Sequence, residues 1–279
     1  MLSASQLNAI SPTITKLYLV LILLMLAGCA TPAQRFTAIA LDHDFIVNSI
    51  TGYPFQHRVY ANRLCMQTPQ NKILHVYLDG DGTPWEHQSW PSDDPTSRNP
   101  LILALMAQDL NPSILLGRPC YHGFNTSAFC NDSLWTSKRY SPQIVDSMTV
   151  ALNNWLQKQP FKKIVLIGYS GGGTLAVLMA NKLPEVQTVV TFAANLDVDA
   201  WSQVHGYATL TESLNPMTQK KLPSRIKQIH LAGAEDEIVP AHIVKSYSDQ
   251  QQNADYHLFP DFDHQCCWEE AWQKILQLF

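Results

Sequence analysis

Lys163-Ile164-Val165-Leu166-Ile167-Gly168-Tyr169-Ser170-Gly171-Gly172-Gly173-Thr174-Leu175-Ala176 is the stretch on which the fold turns. Its first half is apolar at successive positions, as a strand is when helices cover both faces of a mostly parallel sheet. Its second half opens a helix, and Ser170 stands at the junction. Such a junction presents a serine hydroxyl on a sharp turn, with small residues two positions before and after it. The turn also puts the hydroxyl at a helix N-terminus, where backbone N–H groups favour negative charge. A bare G-x-S-x-G arises by chance in roughly one chain in ten of this length at ordinary residue usage. Its place between strand and helix carries the weight.

Working outward, short apolar runs alternate with helical ones. Strands are expected at Phe55–Asn62, Ile73–Asp79, Ser113–Gly117, Lys163–Gly168, Thr188–Ala193, Gln228–Ala232 and Asp255–Phe259. Helices are expected at Asn99–Asp109, Ser141–Gln159, Gly172–Lys182, Ala241–Gln251 and Gln265–Leu278. This alternation specifies an α/β class with a mostly parallel sheet. The expected organisation is an export signal over 1–28, an anchor and linker over 29–54 and one catalytic domain over 55–279. Asp197 to Arg225 interrupts the pattern and is either a small cap over the site or an irregular surface excursion.

A nucleophilic serine needs a base to take its proton and an acid to orient that base. Gly233-Ala234-Glu235-Asp236-Glu237-Ile238-Val239-Pro240 follows a strand and supplies Asp236, with Glu235 and Asp197 as rivals. The last histidine, His264, follows the final strand in Phe259-Pro260-Asp261-Phe262-Asp263-His264. His257 lies within that strand and His242 within a helix, so His264 is the expected base. For the oxyanion, the donors expected are the backbone amides of Gly171 and of Asp81 in Asp79-Gly80-Asp81-Gly82-Thr83-Pro84-Trp85. That loop also alternates Asp and Gly as calcium loops do, but its twelfth position is Trp90 where a bidentate Glu is required. Trp85, Trp201 and Tyr207 are candidates to line an acyl pocket.

Other chemistries are set aside. Gly168 to Thr174 lacks the lysine of a phosphate-binding loop. Gly171-x-Gly173-x-x-Ala176 follows the serine turn, and no acid stands about 20 residues on to hold a ribose. No zinc-ligand spacing occurs. The 279 residues are 46% hydrophobic and 15% charged with net charge −4, a globular composition without the basic surface that nucleic-acid binding demands. Neither nucleotide, metal nor organic cofactor is expected.

The chain, from Phe55 to Phe279, resembles the α/β-hydrolase family in its Gly168–Gly172 turn and in the order Ser170, Asp236, His264. That resemblance implies an eight-stranded, mostly parallel sheet and a serine ester or related acyl hydrolase. Asp79 stands where the family often has histidine. Gly117-Arg118-Pro119-Cys120 and Trp135-Thr136-Ser137-Lys138-Arg139-Tyr140-Ser141 resemble an exported subgroup, without indicating a substrate. The expected partner is a small-molecule or lipid ester. Thioester, peptide and acyl-transfer chemistry use the same triad, and a catalytically silent binding or assembly lipoprotein is the reading from another class.

The N-terminus carries the location. Leu17 to Ala27 is an apolar run broken only by Tyr18, with Lys16 before it, and it ends in Leu26-Ala27-Gly28-Cys29. The run is short for a membrane span and reads as an export signal. Leu-Ala-Gly-Cys resembles the lipobox of bacterial lipoproteins, which implies cleavage before Cys29 and its lipidation. The expected location is the cell envelope, at the periplasmic side of the outer membrane. In an oxidising compartment Cys120 and Cys130 are the expected disulfide, and Cys65 is open to pairing with Cys266 or Cys267. Cys266 and Cys267 are equally open to pairing with each other.

Overall fold

The computed structural model describes residues 30–66, 73–87 and 89–279. The expected export signal over 1–28 and the lipidation expected at Cys29 lie outside the described residues. The strands are β1 (Ile46–Gly52), β2 (Phe55–Ala61), β3 (Ile73–Leu78), β4 (Trp85–Glu86), β5 (Trp90–Pro91), β6 (Ser113–Leu116), β7 (Lys163–Tyr169), β8 (Val186–Phe192), β9 (Lys227–Gly233) and β10 (Ala254–Phe259). The helices are α1 (Pro32–Asp42), α2 (Leu101–Ala107), α3 (Pro142–Leu156), α4 (Gly171–Ala180), α5 (Val198–His205), α6 (Ala241–Ser248) and α7 (Trp268–Ile275). Eight strands form one sheet in the order β1-β2-β6-β3-β7-β8-β9-β10, and β4 pairs with β5 alone. The six strands from β6 to β10 run parallel, whereas β1 and β2 join antiparallel at one edge. This is the α/β class with a mostly parallel sheet expected from the alternation of strands and helices, and its eight strands are those the α/β-hydrolase resemblance implied.

Strand β7 shows why its sequence reads as a continuous apolar run. Ile164 and Leu166 join one core cluster, with α3 and α4, while Val165 and Ile167 join the other, with α1, α2 and α7. All four are at most 2% exposed, and fully burying each such side chain stabilises the fold by about 1.5–3 kcal/mol. Helix α4 is likewise buried at every position, so it has no polar face to display. A helix this enclosed holds its N-terminal turn in a fixed place over the sheet.

Three expectations are corrected. Residues 32–52, assigned to an anchor and linker, instead form α1 and edge strand β1. Phe36 and Ala40 of α1 are buried in the core. Cys65 pairs with neither Cys266 nor Cys267; its thiol is free, buried and donates to the Ser113 carbonyl at 3.3 Å. The closing helix begins at Trp268, because Gln265 to Cys267 form the turn that carries His264 into place. Within 197–225, α5 is followed by an irregular path whose Leu210, Leu214 and Met217 pack against the core.

Candidate active site

The strand–turn–helix at Ser170 takes the form its glycines allow. Ser170 adopts φ 51° and ψ −125°, a left-handed conformation that places its side chain above the C-terminal end of β7. A Cβ at Gly168 would strike the backbone of Gly172 and Gly173, and one at Gly172 would strike the Leu78 carbonyl. Both positions therefore need glycine, and the second packs α4 against the loop leaving β3.

Three side chains from separate strand ends meet there. His264 Nε2 lies 3.1 Å from Ser170 Oγ. His264 Nδ1 lies 2.9 Å from Asp236 Oδ2 and 3.1 Å from Oδ1. Asp236, 4% exposed, is pinned from behind: its Oδ1 accepts from the amides of Ile238 at 2.9 Å and Val239 at 2.7 Å. With the carboxylate accepting at Nδ1, the imidazole carries its proton there and presents a lone pair at Nε2 to the serine. The Tyr169 hydroxyl donates to the His264 carbonyl at 3.0 Å, and the two rings lie 5.2 Å apart. A buttress from the residue beside the serine thus fixes the histidine.

The rivals occupy other roles. Asp197 caps α5 and accepts from the Ala200 amide at 3.2 Å. Glu235 is exposed, His257 stays in β10 and His242 is exposed on α6. Trp201 and Tyr207 pack on one another with centroids 5.2 Å apart, and Trp201 Nε1 donates to the Ile238 carbonyl at 2.7 Å. Those aromatics brace the Asp236 loop. Trp85 stands on the β4–β5 hairpin, 40% exposed.

The loop after β3 packs beside the serine, since a Cβ at Gly80 would meet the Ser170 Cβ at 3.3 Å. Among the described residues, the amides of Asp81 and Gly171 carry no backbone hydrogen bond. Asp79 is buried; burial pushes its carboxyl up to about 7, against the opposing pull of the Gly80 amide and Arg118. Burial would raise Asp81 as well, but Arg118, Arg139 and Tyr140 outweigh it and hold that carboxyl below its ordinary value. A disulfide joins Cys120 and Cys130, as expected, and a second joins Cys266 to Cys267 two residues after His264. In that turn Asp263 Oδ1 accepts from the Gln265 and Cys266 amides, which holds its carboxyl below the usual range.

The model of the dienelactone hydrolase family matches residues 125–278, more than half of the chain. The chain belongs to that family. The match takes in the Ser170 turn, the Asp236 loop and the His264 turn, whereas the Asp79–Thr83 loop lies before it. No curated protein matches the chain. Among solved structures, this dienelactone hydrolase family member is similar to Est1E from Butyrivibrio proteoclasticus, with a TM-score of 0.58 and 12% identity over 83% of this chain and 98% of that one. A bacterial membrane phospholipase A, described as a virulence factor, gives 0.59 and 12% over 95% and 97%. The acylaminoacyl peptidase of Pyrococcus horikoshii gives 0.57 and 11% over 84% of this chain and 41% of that one. Likeness at these identities shows the shared α/β-hydrolase fold, and family membership makes the chain a hydrolase.

Proposed function

We propose that this hydrolase cleaves a carboxylic ester, of a lipid or a small acyl compound, with Ser170 as nucleophile. The observation that carries the reading is the unbroken relay from Asp236 through His264 to Ser170. Ser170 Oγ attacks the acyl carbonyl while His264 Nε2 takes its proton, and Asp236 stabilises the imidazolium that forms. The amides of Asp81 and Gly171 receive the charge on the carbonyl oxygen. His264 then returns the proton to the leaving alcohol, which departs and leaves an acyl-enzyme. Water, deprotonated by the same histidine, releases the acid and restores the serine. Every step is a proton or acyl transfer that these side chains can carry.

Labelling with a fluorophosphonate tests this directly. Wild-type mature protein should react stoichiometrically and Ser170→Ala should not; equal labelling of the two, or none of wild type, refutes it. A panel of p-nitrophenyl esters of increasing chain length then reads the acyl preference.

We further propose that the protein is exported and anchored to the envelope through Cys29, at the periplasmic side of the outer membrane. The two disulfides support an oxidising compartment. Metabolic labelling with a fatty acid should mark the wild type and not Cys29→Ser; label retained on the variant rejects the anchor.

A further inference from the structure

The two segments that the sequence sets apart, Gly117–Cys120 and Trp135–Ser141, converge on a single side chain. Asp81 accepts from the Tyr140 hydroxyl at 2.9 Å on Oδ1 and 2.7 Å on Oδ2. Arg139 Nη1 donates to Oδ2 at 2.9 Å, and Arg118 Nη2 lies 2.8 Å from Oδ1. The main chain of Asp81 is fastened too, for its carbonyl accepts from the Tyr121 hydroxyl at 2.9 Å. Each of these four partners is at most 5% exposed.

Stability alone explains this arrangement poorly. Two guanidinium groups are withdrawn from water around the Asp81 carboxylate, with the buried Asp79 carboxyl beside them, and a buried charged cluster commonly gives less stability than apolar packing of the same volume. Location supplies the missing reason. A Cβ at Gly171 would strike both the Asp81 carboxylate and the Tyr140 hydroxyl, so the cluster rests directly against the first residue of α4. That residue and Asp81 carry the two amides to which the proposed function assigns the oxyanion.

We propose that Arg118, Tyr121, Arg139 and Tyr140 are positioning residues for the anion-stabilising site, acting through Asp81. They fasten both ends of Asp81 so that its amide is aligned before substrate arrives. Preorganised donors need no rearrangement during reaction, which is why their alignment affects the transition state more than the bound substrate. The side chain of Asp81 serves as the handle by which its own main chain is held. The inference rests on the serine-hydrolase reading above.

The decisive variant is Tyr140→Phe, which keeps the ring that fills the core and removes one hydroxyl. Arg139→Lys keeps the charge and loses the planar fork. Kinetics with p-nitrophenyl butyrate, inhibition by an arylboronic acid that forms a tetrahedral adduct on serine, and thermal midpoints are measured side by side. Removing an oxyanion donor outright lowers kcat by about 10²–10³-fold, so misaligning one should lower it by about 10–100-fold. KM should stay within about twofold, and boronate affinity should weaken by the same factor as kcat/KM. Tyr140→Phe that folds with kcat within twofold of wild type overturns the proposal, as does a loss confined to KM. Should Tyr140→Phe fail to fold, Arg139→Lys decides on the same criteria. Wild type that ignores both ester and fluorophosphonate removes the underlying reading and this proposal together, whereas an active wild type with unaffected variants removes the proposal alone.

Discussion

Replacing Asp236 by Asn should nearly abolish turnover, by putting the His264 proton on the wrong nitrogen. The Oδ1 position of Asp236 accepts from two backbone amides, at 2.9 and 2.7 Å, so in Asn the carbonyl oxygen belongs there. The amide NH₂ then takes the Oδ2 position, 2.9 Å from His264 Nδ1. An NH₂ group donates, so Nδ1 must accept and the ring proton moves to Nε2, facing the Ser170 hydroxyl across 3.1 Å. A protonated Nε2 accepts nothing. Flipping the Asn to recover the working tautomer leaves the buried Val239 amide and the part-buried Ile238 amide facing donors, at up to about 1–3 kcal/mol each. That difference of about 2–6 kcal/mol holds the productive form to between about one part in thirty and about one in 3 × 10⁴, at about 1.36 kcal/mol per decade. The corresponding substitution in serine proteases loses about 10⁴-fold, the upper end of this range. Ester turnover by Asp236→Asn, together with imidazole ¹⁵N shifts that report the tautomer, checks both halves of the argument. Turnover within tenfold of wild type, or a His264 ring still protonated at Nδ1, would refute it.

Other outcomes follow from buried groups away from the relay. Burial pushes His57 down to about 4 and His122 and His230 to about 3, so these remain neutral in the fold but protonate in the unfolded chain below about pH 6.5. Their stabilisation is complete above that pH and is lost on acidification. Asp79, raised to about 7, acts oppositely: its contribution is full below about pH 3.8 and fades as pH rises through 7. Near pH 5 the unfolded chain should bind about two more protons than the native protein from these groups, a stability slope of about 2.7 kcal/mol per pH unit. Asp79→Asn should steepen that slope by about one proton, read from urea midpoints across pH 4.5–6; an unchanged slope rejects the raised Asp79. Cys65, which burial pushes up to about 12, should resist iodoacetamide at pH 8 until the protein unfolds, as mass spectrometry would show. Replacing both Cys120 and Cys130 by Ser should cost about 2–3 kcal/mol through loop closure over their separation of 10 residues. It should also slow ester turnover, because Tyr121 follows Cys120 directly; unaltered turnover would separate the bridge from the site.

Local pattern carried the β7–Ser170–α4 turn, because strand periodicity and glycine spacing are properties of neighbouring residues. Chain order placed Asp236 and His264, since each follows a parallel strand and such ends share one rim. By contrast β1, Ile-Val-Asn-Ser-Ile-Thr-Gly, is an edge strand with exposed Asn48 and Ser49, and its polarity imitates a linker. Helix α1 escaped for a related reason: its buried Phe36 and Ala40 face the core while the rest of its surface is mixed. The clamp on Asp81 was illegible because its members lie up to 59 residues away in sequence. Only the tertiary fold brings a tyrosine and two arginines to one carboxylate. Gly117–Cys120 and Trp135–Ser141 resemble an exported subgroup, but nothing local says what a buried arginine is paired with.

The strand order across the sheet gives the site a direction. From β6 to β10, the rim passes Arg118, Asp81, Ser170, then Asp236 and His264, with the last loop reaching back over β8 and β9 to the serine. The amides proposed for the oxyanion lie on the β3 side, and the proposed proton acceptor, His264, comes from the β10 side. On the ester reading proposed above, a substrate aligned for attack would lie one way round, its carbonyl oxygen toward β3 and its departing oxygen toward β10. Reversed, it would turn the carbonyl toward a lone pair and its leaving group toward amides with no proton to return. Substituents on the alcohol and acyl portions of a substrate are thus sorted by the sheet itself, and bulk added to the alcohol should be felt first by the loops that follow β9 and β10.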